Sequence, residues 1–224
     1  MKSFYLLLAL PVVVLAAPTF NAEAADSTSI TLPAPRLDGE ISVEKALKER
    51  RSLRDPAPTA LSLTEAGQLC WAAQGVTDDK GHRTAPSAMA RYPLELYMIV
   101  GIVNGIAPGF YHYDPGTHAL HLVMPGDMRA AVVEKAIGQD WITKAPAIYI
   151  FTGAIERMGS MSERGRQFMN VEAGLAAQGF FLQATAMGLG STYVGGFRPE
   201  AIHAALGLSA GEEVLAVLPV GHKP

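Results

Sequence analysis

The stretch from Val171 to Met187 constrains the fold more than any other part of the sequence. It is apolar on almost every side, interrupted only by Glu172, Gln178, Gln183 and Thr185. A helix without a polar face must be covered all round. Gly174, Ala176, Ala177 and Gly179 would let another backbone approach closely. Two arrangements satisfy this pattern: a central core helix within one chain, or a helix at a subunit interface. In a domain of this size the interface is the simpler solution, and the pattern alone leaves both open.

The remaining elements are legible from caps and periods. Ser42 is placed to cap a helix running to about Glu49. Ser62-Leu63-Thr64-Glu65 has the form of a capping box, and Gly75 closes the helix that follows. That helix turns Cys70 inward as a small core residue. Leu94 to Val103 reads as a central strand, ended by Asn104-Gly105. Phe110 to Tyr113 and His118 to Val123 flank Asp114-Pro115-Gly116-Thr117, a hairpin signature. Asp127 opens a helix ending near Gly138. Ala147 to Thr152 and Val214 to Val220 are strands, and residues 164 to 187 are helical. Without a regular βαβ rhythm, the fold class is α+β.

The first residues differ from the rest. Lys2, an apolar run from Phe4 to Ala17, and Ala22-Glu23-Ala24 form the pattern of a cleavable signal peptide over residues 1–24. The expected location is therefore periplasmic or secreted, without stable membrane insertion. Residues 25–40 lack periodicity and read as a flexible tether, leaving 41–224 as the folded domain. A net charge of −3 offers no basic excess for nucleic acid, so none is expected as a partner. His112, His118 and His121 lie close in sequence but give no reliable shared face, and no metal is expected.

Chemistry concentrates in four segments. Arg50, Ser52 and Arg54 alternate, so extended backbone puts two guanidinium groups and a hydroxyl on one face, with Arg51 beside them. Guanidinium forks match phosphate oxygens. The plain alternative is a solvated basic turn. Pro86, Ser87 and Ala88 precede the central strand in a run of small residues that would let a flat ring lie close to the backbone. Gly195 and Gly196 offer unobstructed backbone contact. Leu218-Pro219-Val220-Gly221 ends the last strand.

Taken in order, R-R-S-x-R, P-S-A leading into Y-P-L-E, E-R-G-x-x-F with a small-residue helix containing A-A-Q, G-L-G-S-x-x-V-G-G-F and L-P-V-G resemble the nitroreductase superfamily. Within it they are most similar to the SagB-type, azoline dehydrogenase-like branch. The resemblance covers roughly residues 41 to 222. It implies a four- or five-stranded, mainly antiparallel central sheet surrounded by helices, and a homodimer with two FMN sites at the interface. It further implies an FMN-dependent oxidoreductase using NAD(P)H or another electron donor and a small planar electron acceptor. Arg50, Arg51, Ser52 and Arg54 would then hold the FMN phosphate and ribityl chain, with Pro86, Ser87 and Ala88 along the isoalloxazine. Gly195 and Gly196 would face the flavin's reactive centre. The sequence departs from the pattern in places. Ser160 and Met161 stand where azoline-oxidising members carry a Lys-Tyr pair, and only Lys223 follows the last strand as a cation. Ala90 replaces a frequent asparagine. The alternative reading is therefore a catalytically degenerate flavin-binding protein of the same fold.

Overall fold

In the computed structural model, residues 29–224 are described; the signal-peptide expectation for residues 1–24 lies outside them. Seven strands form one sheet, every neighbouring pair antiparallel. They are β1 (Ser29–Thr31), β2 (Leu94–Val100), β3 (Gly109–Asp114), β4 (Ala119–Pro125), β5 (Ala147–Ala154), β6 (Leu189–Ser191) and β7 (Glu212–His222), in the order β1-β4-β3-β2-β5-β7-β6. The α+β class is thus as expected, with a wider sheet than the resemblance implied.

Helices cover both faces. On one side lie α1 (Val43–Glu49), α2 (Leu63–Gln74) and α4 (Ser162–Ala186). On the other lie α3 (Arg129–Val132), the turns that follow it, and α5 (Pro199–Leu206). The central strands therefore read as nearly continuous apolar runs. Leu96, Met98 and Val100 of β2 pack with Tyr149, Phe151 and Leu218 beneath α2 and α4. Tyr97 and Ile99 point the other way, with Ile148, Ile150 and Val217 under α5.

Local signals explain the boundaries. The Ser42 hydroxyl accepts from the Lys45 N–H at 3.2 Å, and Ser62 and Glu65 form the full capping box. Asp114 turns the β3–β4 hairpin by accepting from the Gly116 N–H and the Thr117 hydroxyl. Gly75 ends α2 in extended rather than left-handed backbone. It is needed there because a Cβ would lie 2.1 Å from the Trp71 ring. β2 stops at Val100, earlier than expected, where Gly101 and Ile102 both donate to the Pro146 carbonyl.

The structure corrects or narrows three sequence expectations. The described part of the expected tether, residues 29–40, is tied down: Ser29–Thr31 pair with β4, Leu32 is buried, and the Arg36 N–H donates to Gln68 Oε1 at 2.8 Å. The long helix is not covered all round within one chain. Ala173, Ala176, Ala177 and Phe180 are buried against its own sheet and α2. A Cβ at Gly179 would stand 2.9 Å from the Ala72 carbonyl, so the small residues serve the α2–α4 contact. The opposite face is bare, with Val171 60% and Leu175 47% exposed. His112 and His121 are also direct cross-strand partners, sharing a face after all.

Candidate functional site

Arg50 ends α1, and the chain then runs beside the sheet's β6 edge. Ser52 bridges Ser191 in parallel, and the Leu53 N–H donates to the Ser191 carbonyl at 3.2 Å. The Thr192 hydroxyl returns a bond to the Leu53 carbonyl at 2.6 Å. A Cβ at Gly190 would lie 2.7 Å from Leu53 Cβ, so glycine there lets Leu53 seat against the edge. With Leu53 packed inward, Ser52 and Arg54 are exposed and Arg50 is half-buried. Among the described residues, neither the Arg50 nor the Arg54 guanidinium meets a carboxylate or a carbonyl. Arg51 is separated from this row; its Nη1 donates to the Lys48 and Arg50 carbonyls, completing the end of α1.

Pro86, Ser87 and Ala88 lie elsewhere, in the turn that feeds β2. This turn is strained: Met89, Ala90 and Tyr92 all have positive φ, at 53°, 51° and 46°. Left-handed backbone costs an L-residue about 1–2 kcal/mol, so such a cluster persists only where its surroundings hold it. Four contacts do so. The Ala88 N–H donates to Glu172 Oε1 at 2.8 Å, and the Tyr92 N–H to the Ser87 hydroxyl at 2.8 Å. Arg157 Nη1 donates to the Tyr92 carbonyl at 3.1 Å, and the Arg83 guanidinium sits 4.8 Å over the Tyr92 ring. Glu172 is the carboxylate that interrupts the apolar helix, and it is only 4% exposed. Its polarity in an apolar run was the signal that could have marked it; Arg157 carries no such signal.

The two groups stand at opposite ends of the central strands. Ser52 is level with Ser191 and, across it, Val220 of β7. Leu94 is level with Gly153 and, across it, Glu213. From Glu213 to Val220 the strand advances roughly 23 Å at about 3.3 Å per residue. Gly195 and Gly196 lie between, after Val194 bridges Val217; both are exposed, and among the described residues nothing beyond its chain neighbours lies within 4 Å of a Cβ built at Gly196. Within one chain, Arg50, Ser52 and Arg54 follow one another along the segment beside β6, and Pro86, Ser87 and Ala88 lie apart from them.

The other conspicuous groups are already engaged. Burial pushes the Cys70 thiol far above its ordinary range, so it is an inert core residue. His118 bridges the Tyr113 hydroxyl and the Pro33 carbonyl, and His112 Nε2 meets Glu95 at 2.6 Å. His222 lies 3.8 Å from Glu65 in a cleft of about 760 Å³, lined also by Arg36, Trp71 and Asn104. None of Arg50, Ser52, Arg54, Ser87, Gly195 and Gly196 lines that cleft.

The structure is that of an α+β protein with Arg50 and Arg54 left open beside the β6 edge of its sheet. Residues 47–222 match the nitroreductase family, and the chain belongs to that family of oxidoreductases. It is 36% identical over 185 residues to a protein of Methanocaldococcus jannaschii named as a nitroreductase, covering 82% of this chain and 92% of that one. A Ralstonia eutropha structure described as a nitroreductase has a TM-score of 0.78 at 29% identity, over 90% of this chain and 92% of the other. The fold is also shared with a chain of the Escherichia coli microcin synthetase complex McbBCD. There the TM-score is 0.67 at 19% identity, over 98% of this chain and 85% of that one.

Proposed function

We propose that this protein is an exported FMN-dependent oxidoreductase that works as a homodimer, and that it belongs to the SagB-type branch. The observation that carries this reading is the split cradle. Arg50 and Arg54 have charge-assisted donors free for a phosphate, with the Ser52 hydroxyl between them. The Pro86–Ala88 turn stands at the other end of the same sheet. A second copy, meeting the first along the bare face of α4, can supply the missing turn to each arginine row. Val171 and Leu175 on α4, with Val43 and Leu47 on α1, are large apolar side chains left exposed in one chain, and they support that contact.

When bound, FMN supplies the redox chemistry, taking electrons from NAD(P)H or another donor for delivery to a small planar acceptor. The chain's own part is binding and orientation. Arg50, Ser52 and Arg54 would hold the phosphate. The exposed backbone at Gly195 and Gly196 would leave room for the ring system, and the clamped 86–88 turn would lie along it. The order of motifs from Y-P-L-E to V-G-G-F supports the branch. Residues 1–24 support export through their signal-peptide pattern.

Purified protein expressed in an oxidising compartment tests the reading. Flavin absorbance that bleaches with a reductant and returns with an acceptor is expected, together with a dimeric mass by sedimentation. Full-length protein confined to the cytoplasm would remove export from the proposal. A coloured monomer would remove the two-copy site, and a colourless dimer the cofactor.

A further inference from the structure

Beside the strained turn lies a separate cavity of about 530 Å³, walled by Val76, Arg83, Tyr92, His112, Pro115 and Arg157, and also by the carboxylates Glu95 and Asp114. None of the residues expected to bind FMN lines it. Arg83 is half-buried, and its Nη1 donates at 2.9 Å to Gln74 Oε1, a neutral acceptor. Among the described residues no carboxylate lies within ion-pair distance of it. Burial holds this guanidinium below its ordinary range, and the attraction of Glu95 is opposed by the like charge of Arg157.

The nearby acids are occupied. One Glu95 oxygen takes Arg157 and the other takes His112 Nε2 at 2.6 Å. Asp114 accepts from the Gly116 N–H and the Thr117 hydroxyl within its own turn, and faces His121 at 4.0 Å. A half-buried cation without a counter-ion is costly until an anion joins it. The planar guanidinium fork suits a carboxylate, and Val76, Pro115 and the Tyr92 ring add apolar walls.

We propose that this cavity binds a small carboxylic acid, its carboxylate on Arg83 and its apolar body against Tyr92, Val76 and Pro115. The same guanidinium stacks on Tyr92, so an occupied cavity steadies the 86–92 turn. This site stands whether or not the protein carries flavin.

Calorimetric titration of the purified full chain with benzoate, and with benzamide as its neutral isostere, tests the idea. Saturable benzoate binding is expected, with benzamide at least roughly tenfold weaker. Arg83→Gln should weaken benzoate by roughly ten- to a hundredfold, the range for loss of a charge-assisted contact. Arg54→Ala should leave it unchanged, separating this site from the phosphate row. Val76→Phe, which crowds the apolar wall without altering charge, should weaken binding, and it decides the matter if Arg83→Gln does not fold. No saturation, equal affinity for benzamide, sensitivity to Arg54→Ala instead of Arg83→Gln, or full binding by Val76→Phe would each overturn the proposal.

Discussion

At the Ser52 end of the sheet, two arginines stand open with no acceptor among the described residues, whereas at the Tyr92 end a strained turn has its groups already held. The first region leaves its hydrogen-bonding capacity unused among the described residues; in the second, the turn from Ser87 to Tyr92 has that capacity taken up within the chain. Substitutions at the open end should change binding while leaving stability nearly untouched. Substitutions at the clamped end should change stability first.

The sharpest test of this contrast is the double variant Arg50→Ala with Arg54→Ala. Each charge-assisted contact contributes about 1.5–3 kcal/mol. Losing two should weaken FMN by roughly a hundredfold or more, since about 1.4 kcal/mol is tenfold. Riboflavin, lacking the phosphate, should bind both proteins alike in a fluorescence titration. Equal loss for both flavins would mean that the arginines support the fold.

At the clamped end, Glu172→Ala removes the acceptor for the Ala88 N–H from a nearly closed site. Unfolding in urea should show a loss of about 1–3 kcal/mol, with faster amide exchange at Ala88. Glu172→Gln keeps an acceptor oxygen and should recover most of the difference. A neutral Glu172→Ala would break the comparison, because the turn would then need no clamp.

A smaller effect, of opposite sign, is expected from Met89→Gly. Methionine at φ 53° carries left-handed strain that glycine does not. After the entropy cost of glycine, a gain of about 0.5–1 kcal/mol in stability should remain. A loss instead would mean that the Met89 side chain is held by something outside this chain.

The mildest difference concerns pH. Burial raises the Glu95 pKa, but His112 and Arg157 outweigh it and hold the carboxyl below its ordinary range. A carboxyl depressed in the folded state adds stability above its unfolded pKa, near pH 4, and loses it as pH falls through the lower folded value. Glu95→Gln should therefore flatten the acid limb of a stability–pH curve below about pH 4.5. An unchanged slope would show that another group governs acid unfolding.

Much of the fold was readable because its signals are local. The Ser62–Glu65 capping box, the Asp114 turn and the apolar runs of β2 and β5 each lie within a few residues. β1 and β6 were not readable. Each has three residues, too few to display a period, and each exists through a distant partner, His121 for Ser29 and Gly221 for Gly190. The apolar helix was read as needing cover on every side. The sequence could not apportion that cover between α2, which takes Ala177 and Gly179, and the bare face at Val171 and Leu175. The same limit applies to the site. Residue type and order single out Arg50, Ser52, Pro86 and Gly195 as candidates, but their separation follows from strand order, which no short motif encodes. Arg157 was missed because a lone arginine after a strand resembles any surface charge.

If the chain is exported as proposed, the edge strand β1 bears on the timing of biogenesis. If a peptidase cuts after Ala24, four residues lie between the cut and Ser29. The cutting site is then almost adjacent to a strand that must zip onto His121, far along the chain. Processing and final sheet closure would compete for the same few residues. A leader still attached would hang from the rim of the finished sheet, and a sheet closed early would crowd the peptidase. Inserting a short Gly-Ser spacer between Ala25 and Ser29 should then speed maturation without altering the folded enzyme, an outcome that pulse labelling of precursor and mature chain would reveal.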